Sequence, residues 1–305
     1  MSPIGPAMPN PSNPYLLIAR VGRNSLHSEW LTSASGRRFD VLLSAYDARV
    51  ADPGLDNMWF EHRPGSKVAG YAALFDAHAD HIKQYDHVAV FDDDLSIDGD
   101  ALNRLFAIIH EHDFKIAQPA LTTASHFTYA CLLRDPAFRL RHVNYVEMMC
   151  PVFSQSTFQA IRPLYAMGYE SGIDLVWCNL VAAAPTDFAV IDDVPVWHTR
   201  PVGAAKAANG FTGGKCYEDD IYAVLDRFRL PWLSCVPYSG VRRDGVLEQR
   251  RWKFLLSALR LVFVIGSGAG PRQRARSVAV YWKHLLQRRA RNINVILQAE
   301  RGLGD

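Results

Sequence analysis

The chain has 305 residues, of which 49% are hydrophobic and 21% charged, with a formal net charge of +2. These are ordinary globular values, and they exclude the compositional extremes of disordered and fibrous chains. The charge is unevenly spread: Val241 to Asp305 carries 14 Lys/Arg against 4 Asp/Glu, so a mildly acidic body is followed by a basic segment.

Five cysteines, Cys131, Cys150, Cys178, Cys216 and Cys235, are widely spaced with no C-x-x-C pair. That spacing argues against zinc and for a reducing compartment. The N-terminus lacks a basic start followed by an apolar run, so no signal peptide is expected. The longest apolar run, Phe254 to Ile265, is broken by Arg260 and is too short to span a bilayer. A cytoplasmic protein is expected.

Met1 to Pro14 holds five prolines and reads as a disordered leader. Tyr15 to Val21 and Phe39 to Ala45 read as strands, with a short helix near Glu29 to Ser33 between them. Tyr46 to Pro53 is a polar connection. Val68 to Ala79 has helical spacing, with Lys67 at its start. Val88 to Phe91 is a buried parallel strand that runs into Asp92-Asp93-Asp94. Asp98 or Gly99 caps a helix over Asp100 to Glu111. Ile116 to Pro119 is extended. The order so far indicates an α/β layered domain.

Tyr145 to Phe153 is apolar apart from Glu147. Thr157 to Met167 reads as a helix, and Ser171-Gly172-Ile173-Asp174 opens another. Phe188 to Ile191 reads as a strand ending in Asp192-Asp193, and Val194 to His198 follows it. Thr199 to Lys215, with Gly203, Gly210, Gly213 and Gly214, reads as a loop or lid. Two basic helical segments, Leu247 to Ile265 and Ser277 to Leu297, flank a linker over Gly266 to Pro271. The expected division is a leader over 1–14, a catalytic domain over 15–240 and a basic helical extension over 241–305.

Ligands of open α/β sheets sit at the carboxyl ends of strands. Three acids there repel one another, and a hard cation such as Mn²⁺ or Mg²⁺ would offset the repulsion. Asp92 and Asp94 are therefore candidate metal ligands, with Asp93 beside them on the donor. His198, just before the Gly-rich stretch, could complete an oxygen-rich metal shell. Asp174, near a helix N-terminus, is either a cap or a general base for an acceptor hydroxyl, with Glu170 as the neighbouring alternative. Glu147 is an acid in apolar sequence, so it is either paired or at a site. Arg20, Lys67, Lys206 and Lys215 are candidate phosphate contacts.

The strings Phe91-Asp92-Asp93-Asp94-Leu95, Gln118-Pro119-Ala120-Leu121, Val146-Glu147-Met148-Met149-Cys150-Pro151-Val152-Phe153-Ser154, Gly172-Ile173-Asp174 and Ala189-Val190-Ile191-Asp192, with His198, carry a resemblance. Over roughly Tyr15 to Gly203 the chain resembles a domain-of-unknown-function family whose plant members are labelled "lysine-ketoglutarate reductase trans-splicing related". That family looks like a glycosyltransferase of the Rossmann-like A-type fold. The resemblance implies a nucleotide-diphosphate sugar donor, a glycan or other hydroxyl acceptor, Asp92 and Asp94 as the Asp-x-Asp metal motif, His198 as a later metal ligand, and Asp174 as the catalytic acidic residue. The label about lysine degradation finds no dinucleotide fingerprint here.

A metal-dependent, inverting glycosyltransferase is the leading expectation. A haloacid-dehalogenase-type phosphohydrolase is the alternative, since Asp92 to Ser96 fits its first motif and Asp192-Asp193 could serve as its late acidic pair. A non-catalytic nucleotide-sugar-binding protein is the third. Residues 246–297 mix Trp252, Phe254, Leu255, Trp282, Leu285 and Leu286 with arginines, which suggests peripheral contact with anionic membrane. No nucleic-acid module is visible, and no nucleic-acid partner is expected.

Overall fold

The computed structural model describes residues 10–201, 216–230, 235–266 and 271–287. Lys206, Lys215 and the four glycines of the expected lid lie outside them, as does the expected second basic helix beyond Gln287.

The first half alternates strand and helix. The elements are β1 (Tyr15–Val21), α1 (His27–Leu31), β2 (Asp40–Ala45), β3 (Met58–His62), α2 (Lys67–Ala77), α3 (Ala79–Ile82), β4 (His87–Phe91), β5 (Leu95–Ser96), α4 (Gly99–His112) and β6 (Ile116–Leu121). β1, β2, β4 and β6 are almost continuous apolar runs because helices cover both faces of a parallel sheet. β3 lies on the edge of the sheet and is only half-buried. α4 starts where the Asp98 carboxylate accepts the Ala101 N–H at 2.7 Å, and stops at Asp113 in a left-handed conformation, φ 52°.

The second half comprises β7 (Phe138–Val143), β8 (Val152–Ser154), α5 (Gln155–Tyr165), α6 (Asp174–Val181), β9 (Phe188–His198), α7 (Tyr217–Arg227), β10 (Pro237–Arg242), β11 (Leu247–Glu248), α8 (Arg251–Val264) and α9 (Pro271–Gln287). The sheet order is β11-β10-β7-β9-β6-β8-β4-β1-β2-β3, with β5 paired to the end of β9. β3, β2, β1 and β4 are parallel neighbours. β8 runs antiparallel between β4 and β6, β6 and β9 are parallel, and β7, β10 and β11 continue antiparallel to the far edge. The α/β, Rossmann-like class expected from sequence is the one observed.

Three differences bear on function. First, Phe188 to His198 is one strand, not two. Pairing jumps from Pro119 with Ile191 to Ala120 with Pro195, so Asp192 to Val194 bulge out of the ladder. Second, the apolar Tyr145 to Phe153 stretch, to which the sequence alone assigns no element, is mostly a loop, and only its end joins the sheet as β8. Third, the boundary expected at residue 240 falls inside β10, which pairs with β7. The stretch from Leu247 opens as β11, and helix begins only at Arg251. α8 then packs back on the sheet, where Phe254 stacks on Phe138 with ring centroids 5.2 Å apart.

Candidate functional site

The carboxyl ends of β1, β4, β6 and β9 open on one edge of the sheet. From β1 the chain winds outward to β2 and β3, then crosses to β4 on β1's other side, so the strand order reverses between β1 and β4. A crevice forms outside such a reversal. Asp92, Asp93 and Asp94 follow β4 directly into it.

These three consecutive carboxylates take three different partners. Asp92 holds Lys67 Nζ, at 2.6 Å from Oδ1 and 2.7 Å from Oδ2. Asp93 Oδ2 accepts the Gly22 N–H at 2.9 Å and the Tyr46 hydroxyl at 2.8 Å, and Oδ1 takes Arg200 at 3.1 Å. Asp94 Oδ2 lies 3.2 Å from His198 Nε2. The β5–β9 pairing delivers His198, since Leu95 faces it in register.

Lys67 is held in place by residues behind it. Glu170 accepts the N–H groups of Val68 at 2.8 Å and Ala69 at 3.0 Å, and the Ser66 hydroxyl. It thus satisfies the orphan donors at the N-terminus of α2, to which Lys67 belongs. Arg20 is buried and donates to the carbonyls of Arg63 at 3.0 Å and Gly65 at 2.9 Å, and to Ser44 Oγ at 3.3 Å. It clamps the turn leading into α2. Gly70 makes room for it, because a Cβ there would lie 2.1 Å from the Arg20 Cζ. Glu170 and Arg20 both line the crevice; the Glu170 oxygens and the two terminal Arg20 nitrogens are engaged with the protein, while Arg20 Nε is buried without a partner.

The loop before β8 and the start of α6 supply the far wall. Asp174 Oδ2 accepts the Tyr145 hydroxyl at 2.6 Å and the Met148 N–H at 3.2 Å. The Glu147 N–H donates to Gln118 Oε1 at 2.7 Å, which turns its side chain inward, and Oε2 is buried without a partner. Tyr145, Tyr46 and Arg200 were not foreseen. The sequence signals are slight: Tyr145 precedes Glu147 by two residues, and Arg200 follows His198 by two.

The cavity measures about 450 Å³. Among the described residues its lining includes seven carboxylates, Asp92, Asp93, Asp94, Glu147, Glu170, Asp174 and Glu218, against three permanent cations, Arg20, Lys67 and Arg200. The electrostatics follow from that imbalance. Burial, with the Asp94 charge adding, pushes Asp92 up to about 6 even though Lys67 pulls the other way. Burial, then the charge of Asp174, pushes Glu147 up to about 7. Burial also raises Asp174. Burial alone would lower Lys67 and His198, but the carboxylates of Asp92 and Asp94, respectively, hold both above their ordinary values.

Among the described residues no group of three or more His, Cys, Asp or Glu side chains forms a ready-made metal cage. Two features nonetheless suit a hard cation. His198 Nδ1 lies 2.7 Å from the His126 carbonyl, which can only accept, so Nδ1 carries a proton and the neutral ring's lone pair is on Nε2, facing Asp94. Asp94 Oδ1 is buried without a partner. The donor chemistry of Asp92, Asp94 and His198 therefore fits a divalent ion.

Asp192 and Asp193 are not part of this site. Asp192 is buried against Arg141, with oxygens 2.8 and 2.9 Å from its guanidinium, and Asp193 pairs with Arg139 and Arg243 at 3.1 Å. They sit in the bulge of β9, short of the strand end. The late acidic pair expected of a haloacid-dehalogenase-type phosphohydrolase at Asp192-Asp193 therefore does not lie in the crevice.

Residues 10–142, a little under half of the chain, match the model of a family described as "Protein of unknown function (DUF707)". The resemblance to a domain-of-unknown-function family holds over that segment. No sequence among curated proteins matches. Solved structures with similar folds include S. aureus TarS 1-349 in complex with UDP-GlcNAc, at 10% identity and TM-score 0.43, covering 90% of this chain and 72% of that one. S. aureus TarS is also similar, at 11% identity and TM-score 0.39, covering 94% and 55%.

Proposed function

We propose that the protein transfers a sugar from a nucleotide-diphosphate donor to a hydroxyl acceptor, with a divalent cation held by Asp92, Asp94 and His198. The observation that carries this reading is the lining of the crevice: among the described residues, seven carboxylates against three permanent cations, gathered at the strand reversal of a Rossmann-like sheet. Such a pocket repels a bare diphosphate, so an anionic donor enters it only with a cation of its own or one already bound. When bound, Mn²⁺ or Mg²⁺ would neutralise charge growing on the departing diphosphate.

The chain's own residues divide the remaining work. Asp92 and Asp94 present oxygens from a rigid strand end, and His198 is oriented by the His126 carbonyl. Lys67 is the one lysine among the described lining residues, and it sits beside Asp92, from which its ammonium would reach a donor phosphate bound next to the carboxylates. Arg200 leads into residues 202–215, which contain Lys206 and Lys215. Asp174, oriented by Tyr145 and Met148, is the general base that takes the acceptor's proton, and burial strengthens it as a base. Glu170 serves α2 instead. A base that receives the proton on the side away from the leaving group gives inversion at the anomeric carbon.

The test is calorimetry with nucleoside diphosphates and nucleotide sugars, with and without Mn²⁺, UDP-GlcNAc being the first probe. Binding that requires the cation and is lost in Asp94→Ala supports the reading. Asp174→Asn keeps both hydrogen bonds available and should bind the donor but turn it over about a hundred- to ten-thousand-fold more slowly. Binding without turnover under any acceptor would instead assign a nucleotide-sugar-binding protein. Absence of binding to every nucleotide sugar would refute both.

A further inference from the structure

Helix α8 is apolar on two opposite sides. Phe254, Ala258 and Leu261 are buried and hold it to the sheet. Trp252, Leu256, Leu259 and Phe263 recur at spacings of four, three and four residues, which places them on one stripe on the other side. That stripe is exposed along the helix: Trp252 by 48%, Leu256 by 52%, Leu259 by 42% and Phe263 by 84%. No described helix is long and apolar enough to cross a membrane. Four large apolar side chains in a row are more than scattered surface residues require.

What flanks the stripe distinguishes among possible covers. Lys253 and Arg260 run along one side of it, and the Lys253 ammonium lies 4.3 Å from the Trp252 ring centroid. Beyond them is a groove of about 450 Å³ between α8 and the β10–β11 hairpin, whose lining, among the described residues, holds four cations, Arg242, Arg243, Lys253 and Arg260, against two carboxylates, Asp244 and Glu248. Arg242 pairs with Asp244 and Arg243 with Asp193, which leaves Lys253 and Arg260 as its main contacts for phosphate. An aromatic and aliphatic stripe bordered by cations and a cationic groove matches an apolar layer roofed by phosphates. A second copy of this chain would bring like charges against like at that border.

We infer that α8 docks the protein on an anionic lipid surface, with Trp252, Leu256, Leu259 and Phe263 in the acyl boundary and Lys253, Arg260 and the groove on the headgroup phosphates. The contact is independent of the crevice chemistry and stands whether or not the protein transfers sugars.

The experiment is co-sedimentation of the full chain with vesicles of phosphatidylcholine alone or mixed with phosphatidylglycerol, at low and high salt. The expected result is partitioning onto the mixed vesicles that weakens with salt. Phe263→Glu removes one exposed apolar anchor and should weaken it by about tenfold or more. The double change Lys253→Glu, Arg260→Glu should abolish the preference for anionic lipid. Phe263 and Arg260 are exposed and Lys253 is half-buried, with none of the three in the core, so each variant should keep the wild-type thermal midpoint. Absence of wild-type partitioning, or partitioning that Phe263→Glu leaves unchanged, overturns the proposal. So does a wild-type dimer in solution that Phe263→Glu dissociates, since a second copy then covers the stripe. A thermal midpoint lowered by Phe263→Glu also overturns it, because another part of this chain is then the cover.

Discussion

Glu147→Gln is the sharpest test of the electrostatics in the crevice. Glu147 is 7% exposed, and one of its carboxylate oxygens is buried without a partner. Burial first and the Asp174 charge second raise its pKa from the ordinary 4.5 to about 7. The folded state therefore binds this proton more tightly than the unfolded state does. The corresponding stability is fully present below about pH 4.5 and is lost as pH rises through about 7. A shift of that size costs the ionised, ligand-free protein up to about 3 kcal/mol, at roughly 1.4 kcal/mol per pH unit. Glutamine keeps the shape and cannot ionise. The variant should match wild type near pH 4.5 and exceed it near pH 8 by as much as about 3 kcal/mol. Urea melts of both proteins at the two pH values, in chelator, measure the difference directly. A difference that is the same at both pH values, or a variant less stable than wild type at the higher one, would refute the reasoning. Because part of the shift comes from Asp174, the gain should not add to that of Asp174→Asn.

Two further outcomes follow from particular contacts. Mn²⁺ affinity should climb as pH rises from about 5.5 to 8, because the cation competes with the protons held by Asp92 and by the His198–Asp94 pair, and calorimetry should show proton release on binding; pH-independent affinity would count against these ligands. Asp192→Ala leaves the buried Arg141 guanidinium unpaired and should cost about 3–5 kcal/mol, whereas Asp193→Ala breaks half-exposed pairs and should cost less than about 1 kcal/mol; equal small losses in denaturant melts would contradict this account of the β9 bulge.

Several features were legible in the order of residues because their causes are local. A strand covered on both faces must be apolar throughout, so Val88 to Phe91 announces itself, and three acids directly after it mark the strand's carboxyl end. Asp98 is one turn from the N–H it caps, and the stripe of Leu102, Leu105, Phe106 and Ile109 shows the buried face of α4. The proline at residue 271 was read as linker, yet it opens α9, where a missing N–H costs nothing.

Other features depended on partners far away in the chain, and only the tertiary structure decided them. β7 carries Arg139 and Arg141 and looks polar, but Arg141 is buried because Asp192, 51 residues on, neutralises it. Asp192-Asp193 reads as a strand end, yet the register between β6 and β9 makes it a bulge within one strand. Glu170 and Asp174 are four residues apart and of similar chemistry. Folding gives the first to the N-terminus of α2 and leaves the second, held by Tyr145 and Met148, facing the crevice. The residue types determine which groups can ionise, donate or bind a cation. Which of them share a low-dielectric pocket depends on strand order and register, which no local pattern encodes.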